Sequence, residues 1–218
     1  EIEIASELGV PSPPTEAQMI SFLWGKELQF NPGSKHVYSN VGYLALGMIV
    51  EEVSSQDYID YIHEAVLGPI GINRSDVIQG RSFLQDRDYR EPWYDAGFKG
   101  SNVFDVTGPP VLFSDGGWNH EGSVAYMGLV ATSTAIVEFL GHYLVWGMDI
   151  GKVRDNTYGT GWRYHTGSLP GTQALAMQRD NGINYVTLFN KRPSPGGDSY
   201  NTQIKQKIDE IIGLGILN

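Results

Sequence analysis

Tyr38, Ser39 and Asn40 stand together just ahead of a run with helical spacing, and His165, Thr166, Gly167 and Ser168 follow one another far along the chain. These residue types move protons and hold carbonyl groups. A serine acyl-transfer enzyme needs a nucleophile, a base, an oxyanion hole and a group that grips the substrate. A free tyrosine titrates near ~10 and is a poor base at neutral pH. It becomes one when nearby cations hold its pKa down or orient its hydroxyl. Taken singly, each stretch has a plain reading. Tyr-x-Asn before a helix is a capped turn with Asn40 as N-cap, and His-Thr-Gly in a β region is a turn. His63 and His142 sit in helical runs, and His36 and His120 in loops. There is no cysteine and no His-x-x-x-His spacing, so neither a metal centre nor a cofactor is expected.

The elements that must position these residues follow from periodicity. "VPSPPTEAQMISFLWG" reads as a Pro-rich entry and a helix, with Thr15 as N-cap and Met19, Ile20, Phe22 and Leu23 on its apolar face. Pro32-Gly33 marks a turn. From Val41 to about Val53 the apolar residues are too continuous for a thin stripe, which predicts a well-buried helix. A second helix follows, with Ser55 as its cap, Tyr58, Ile59, Ile62 and Val66 at helical spacing, and Gly68-Pro69 as its stop. Residues 73–121 are rich in Gly, Pro, Asp and aromatics with little periodicity, as in site walls, lids or a plain surface insertion. Thr132 or Ser133 then caps a helix running through Val145. Beyond it, Asn181-Gly182 between two β-like runs is a hairpin signal, with Leu175 and Met177, then Val186 and Leu188, in alternation. "SYNTQIKQKIDEIIGLGIL" reads as a terminal amphipathic helix. The fold class is therefore α+β. Residues 1–155 form a mostly helical region with the 73–121 insertion, and 156–218 a sheet and C-terminal helix, in one compact unit.

Composition bounds the partners. The chain has 218 residues, 41% of them hydrophobic and 18% charged, which is ordinary for a globular protein. Its net charge of −10, without a Lys/Arg cluster, argues against nucleic acid. The apolar runs are too short for a membrane span. The first residues are acidic, with neither an initiating Met nor a signal-peptide pattern, which suggests a processed chain or one cut from something longer.

"PGSKHVYSNVGYLALGMIVEEVSSQDYIDYIHEAVLGPIGI" resembles the tyrosine-motif segment of the serine β-lactamase-like superfamily, which includes class C β-lactamases, D-alanyl-D-alanine carboxypeptidases, D-aminopeptidases and esterases. Tyr38-Ser39-Asn40 stands for its Tyr-x-Asn, followed by Gly42, Tyr43, Leu46 and Gly47. "GSVAYMGLVATSTAIVEFL" resembles its Gly-Gly-Leu-x-Ser/Thr-Thr helix start. "YGTGWRYHTGSLPGTQALAMQRDNGINYVTLFNKR" resembles its third motif, here His165-Thr166-Gly167, and the strands after it. The resemblance implies a β-lactamase/DD-peptidase-like α+β fold. It implies Tyr38 as base or proton shuttle and Asn40 as amide donor to the substrate carbonyl or to a lysine. His165 would support the proton network, and Thr166 would bind a substrate carboxylate or carbonyl. Gly167 would admit the substrate backbone, and the Ser168 N–H would be half of the oxyanion hole. A histidine in the third motif favours a peptidase or esterase over a dedicated β-lactamase. The substrate would be a small molecule or peptide, and by resemblance alone the compartment periplasmic or extracellular. The rival reading is a non-catalytic domain binding peptide or carbohydrate through the aromatic 73–121 stretch.

One part is missing. The family places its serine and lysine in Ser-x-x-Lys, one helical turn apart, and no serine here has lysine three places on. Thr202 to Lys205 is the nearest mimic, on the wrong side of His-Thr-Gly. The chain is then expected to be a fragment, one half of a two-chain enzyme completed by its own N-terminal segment, or a degenerate relative. The first two predict a large apolar face for the absent helix and strands; the third predicts that face re-covered by polar side chains.

Overall fold

The computed structural model describes residues 1–35, 37–95, 97, 99–145, 163–179, 181–193, 197 and 199–215. Contacts divide the chain into two compact units, residues 1–89 with 99–130, and residues 90–98 with 131–218.

The first unit opens with α1 (Ile2–Leu8), which the sequence reading did not anticipate; it ends at Gly9 in a left-handed conformation. α2 (Glu16–Leu23) starts where Thr15 was expected to cap it. The Thr15 hydroxyl accepts from the Gln18 N–H, and the Gln18 side chain accepts in return from the Thr15 N–H. α3 (Asn40–Ser54) buries Leu44 and Gly47. A Cβ on Gly47 would lie 2.3 Å from Ala125 Cβ, so the second glycine of the Gly-Tyr-x-x-Leu-Gly pattern is there for close packing. Ser55, expected to cap the next helix, instead ends α3 with φ 56°, and α4 (Tyr58–Ile62) starts from Asp57. The cause is local. The Ser55 N–H is taken by Glu51 O, and Tyr58 N–H donates to the Glu51 carboxylate. α4 runs into a π turn, His63–Leu67, and a 3-10 turn, Gly68–Ile70, with Pro69 in its first turn and Gly71 closing it in a left-handed conformation.

Two short ladders follow: β1 (Val77–Gln79) with β4 (Leu129–Ala131), and β2 (Lys99–Gly100) with β3 (Val111–Leu112). The core of this unit includes Ala5, Met19, Leu44, Leu67, Ile72, Val77, Val103 and Val124. Within it the irregular stretch is closed at its foot by polar bonds. Ser82 N–H donates to both carboxylate oxygens of Glu121, at 3.1 and 3.2 Å, and the Ser82 hydroxyl makes a short bond to Glu121 Oε2. The same hydroxyl accepts from the His120 N–H at 2.9 Å.

The second unit contains α5 (Ser133–His142), capped by the Thr132 hydroxyl and ending three residues short of Val145. β5 (Arg163–Leu169), β6 (Thr172–Gln178) and β7 (Asn184–Phe189) form an antiparallel meander in that order. The hairpin at Asn181-Gly182 is present, with Gly182 at φ 83° and Asn181 Oδ1 accepting from Ile183 N–H. α6 (Tyr200–Gly213) packs on one face, where Asn201 bonds to Gln173 and Ala174 of β6. α5 reaches the end of the other face, where Gln178 and Asn184 both donate to Leu140 O. Leu175, at 2% exposed, and Met177, at 0%, are the heart of this core.

Candidate active site

The tyrosine motif is built by a turn and a cap. Gly33, at φ 77°, lets the chain reverse, and Ser34 closes the turn on Asn31 O. The backbone then extends into Ser39, whose hydroxyl accepts from Gly42 N–H at 3.2 Å. Ser39, not Asn40, is thus the N-cap, because its side chain reaches the third N–H of the helix. Asn40 is the first helical residue, and its side-chain amide is spared the capping role. Tyr38 is 52% exposed, with its ring centroid 5.7 Å from that of Tyr43.

The outward side of α3 departs from the expected burial. Leu46 and Ile49 are each 57% exposed and Val53 is 81% exposed. With Gly42 they are spaced i, i+4, i+7 and i+11, which places them along one line of the helix, opposite the buried Leu44 and Gly47. An apolar seam on the far side of an already packed helix has the spacing that receives a second helix. It begins beside the Tyr38-Ser39-Asn40 motif.

The third motif lies on β5 in the other unit. The register sets His165 opposite Ala176, Thr166 opposite Leu175, Gly167 opposite Ala174 and Ser168 opposite Gln173. Thr166, Gly167 and Ser168 are exposed and His165 is partly covered. β5 ends the sheet among the described residues, so the side away from β6 is an edge. A Cβ at Gly167 would meet only Ala174 Cβ, at an ordinary 3.8 Å. The packing of the strand therefore does not demand glycine here. The "GSVAYMGLVATST" segment lies in the first unit up to Val130. Gly128 is needed there, since a Cβ would sit 2.4 Å from His120 O.

Of the other candidates, His142 pairs with Glu138 at 3.2 Å, and His63 is buried in the π turn. Lys205 of the Thr202–Lys205 mimic pairs with Asp209 at 2.5 Å. His36 and the 158–162 approach to the third motif lie outside the described residues. Among the described residues no cluster of His, Asp or Glu has a metal-binding arrangement, and no helix is long and apolar enough to cross a membrane. The Ser82–Glu121 clasp escaped the sequence reading, because nothing local marks two residues 39 positions apart as partners. Burial alone would raise the Glu121 carboxyl. The Ser82 hydroxyl and N–H, its own backbone N–H and the charge of Arg81 together hold it below its ordinary value. Burial, with Arg87 adding to it and Glu121 opposing, lowers His120.

A Tyr-x-Asn stands at the head of α3, which is packed on one face only, and a His-Thr-Gly stands on an edge strand, both within a mixed α+β fold of helices and antiparallel strands. The chain belongs to the Beta-lactamase family, whose model matches residues 4–209. A provisionally named D-alanyl-D-alanine carboxypeptidase of Escherichia coli strain K12 is 37% identical over 60 residues, 28% of this chain and 14% of that protein. The D-amino acid amidase of Ochrobactrum anthropi SV3, solved with L-phenylalanine, superposes with a TM-score of 0.63 at 21% identity, covering 94% of this chain and 66% of that one. A penicillin-binding protein from Bacillus halodurans gives 0.62 at 14% identity, over 90% and 62%. At these identities the solved structures show the shared fold. The chain spans about two thirds or less of their lengths, and the segment matched to the carboxypeptidase is a small part of that protein.

Proposed function

We propose that this chain supplies the proton-shuttle and substrate-gripping parts of a serine hydrolase acting by acyl transfer on an amide, a D-amino-acid peptide or an ester. The observation that carries the reading is the exposed seam Gly42, Leu46, Ile49 and Val53, which begins beside Tyr38-Ser39-Asn40. A helix bearing Ser-x-x-Lys seated there would bring a serine hydroxyl and a lysine amine to the motif, whether that helix is part of the same polypeptide or separate. The serine oxygen attacks the substrate carbonyl carbon, and its proton passes through Tyr38 to the leaving amine or alkoxide as that bond breaks. Water then attacks the ester, gives its proton back along the same path and releases the acid. In this reading Asn40 holds the carbonyl or the lysine, His165 supports the proton network, Thr166 binds a carboxylate or carbonyl, Gly167 admits the substrate backbone, and Ser168 N–H polarises the carbonyl. Tyr38 and β5 must then meet the same substrate, because these groups are useless apart. The amidase and carboxypeptidase relatives make D-amino-acid amides and D-alanyl peptides the first substrates to try.

The test has two arms. The 218-residue chain alone should take up no fluorophosphonate or penicillin probe; stoichiometric labelling of one of its serines would overturn the need for a further nucleophile. With a Ser-x-x-Lys segment present, amide or p-nitrophenyl ester hydrolysis should appear, and Tyr38→Phe should remove about 100-fold or more of it without unfolding the chain. Near-full activity of that variant ends the assignment of Tyr38. A completed protein that binds substrate but never turns it over favours the binding-domain reading, for which the exposed Tyr89 and Trp93 speak.

A further inference from the structure

Trp93, Tyr94 and Asp95 lie in the middle of the long irregular stretch, yet they fold with the meander. Asp95 forms an antiparallel bridge with Gly171, in the β5–β6 turn, and a parallel bridge with Lys191, just beyond β7. The Asp95 N–H donates to Asn190 O at 2.9 Å, and Asn190 Nδ2 donates to Trp93 O at 2.7 Å. Lys191 Nζ sits 2.7 Å from Asp95 Oδ2. The flanking chain belongs to the other unit on both sides, up to Tyr89 and again from Lys99. There, Lys99–Gly100 is tied into the ladder with β3, and Ser82 and Glu121 close the foot of the stretch.

These two anchorages differ in kind. At the foot, Ser82 is 1% exposed and gives both its N–H and its hydroxyl to a carboxylate. At the staple, the Lys191 and Asp95 side chains are 57% and 49% exposed and Trp93 is 62% exposed. Exposed ion pairs are screened by salt. Backbone bonds with little apolar cover open locally, well below the cost of global unfolding.

We infer that Trp93–Asp95 is a releasable strap: it lifts from the end of the meander while the Ser82–Glu121 clasp keeps the foot of the stretch closed, and the Lys191–Asp95 ion pair is its latch. Gly171 lies two residues past Leu169, where the strand carrying His165 to Ser168 ends. Seating the strap fixes that end of β5, and lifting it frees it.

Amide hydrogen exchange followed by NMR on the whole chain tests it at three reporters: Asp95 N–H in the strap, Ser82 N–H in the clasp, and Ala176 N–H in the central strand. Either Lys191→Met or 0.5 M NaCl on the parent should speed exchange at Asp95 by about fivefold or more, leaving Ser82 and Ala176 within about twofold. An Asp95 amide indifferent to both perturbations would overturn the latch. Parallel acceleration of all three amides would overturn the strap as a separate opening unit.

Discussion

Ser82 and Glu121 show how much a single pair can decide. Ser82 is buried, and its N–H, hydroxyl and carbonyl are all engaged, the carbonyl by the Gly116 N–H at 2.8 Å. Glu121→Gln keeps the shape and removes the charge that strengthens those bonds, so it should cost about 1–3 kcal/mol at neutral pH. The sign of the pH dependence follows from the lowered carboxyl. A group held below its ordinary value contributes stability above that value, 4.5 here, and loses it as pH falls through the folded-state value. The gap between parent and Glu121→Gln in urea unfolding should therefore be full at pH 7 and close in acid, below pH 4.5. A gap that persisted unchanged at pH 3 would mean that the charge is not what the clasp uses.

At the scale of elements, α3 has two apolar faces with different duties. One packs: Leu44 is 2% exposed, and Gly47 admits Ala125. The other, Leu46, Ile49 and Val53, faces solvent. Leu44→Ala should destabilise the chain by about 2–5 kcal/mol, as core truncations do, whereas Leu46→Lys should stay within about 0.5 kcal/mol. Both are read by denaturant unfolding of the chain alone. If a Ser-x-x-Lys helix seats on this seam, as the hydrolase reading proposes, the ranking should change, with Leu46→Lys blocking that seat and the activity with it. A large loss of stability from Leu46→Lys in the isolated chain would mean that the seam is already covered.

For the whole molecule, the two motifs fall in different compact units, and each is continuous within its own. The hydrolase reading expects a substrate-bound structure of the completed enzyme to show the Tyr38 hydroxyl and the His165–Ser168 backbone touching one substrate, within about 3 Å of its reacting groups. Tyr38 and His165 on opposite faces in that structure would end the reading.

What the sequence settled by itself is what local chemistry encodes. Thr15 and Thr132 cap helices because a side-chain oxygen reaches an N–H three residues on. Asn181-Gly182 turns the hairpin because glycine tolerates φ 83°, and the alternation around Leu175 and Met177 put those residues in the core. The order of the motifs likewise pointed to the family. Only the tertiary structure decided the rest. The apolar continuity of residues 41–53 read as full burial, yet hydrophobicity states that a face should be covered without saying what covers it, and half of α3 lies open. Ser39 took the cap from Asn40, and Ser55 closed one helix rather than opening the next; such choices between neighbouring residues turn on backbone angles set by packing. The clasp between Ser82 and Glu121 and the strap at Asp95 join residues far apart in the chain. No periodicity records such pairings, because they exist only once the chain has folded.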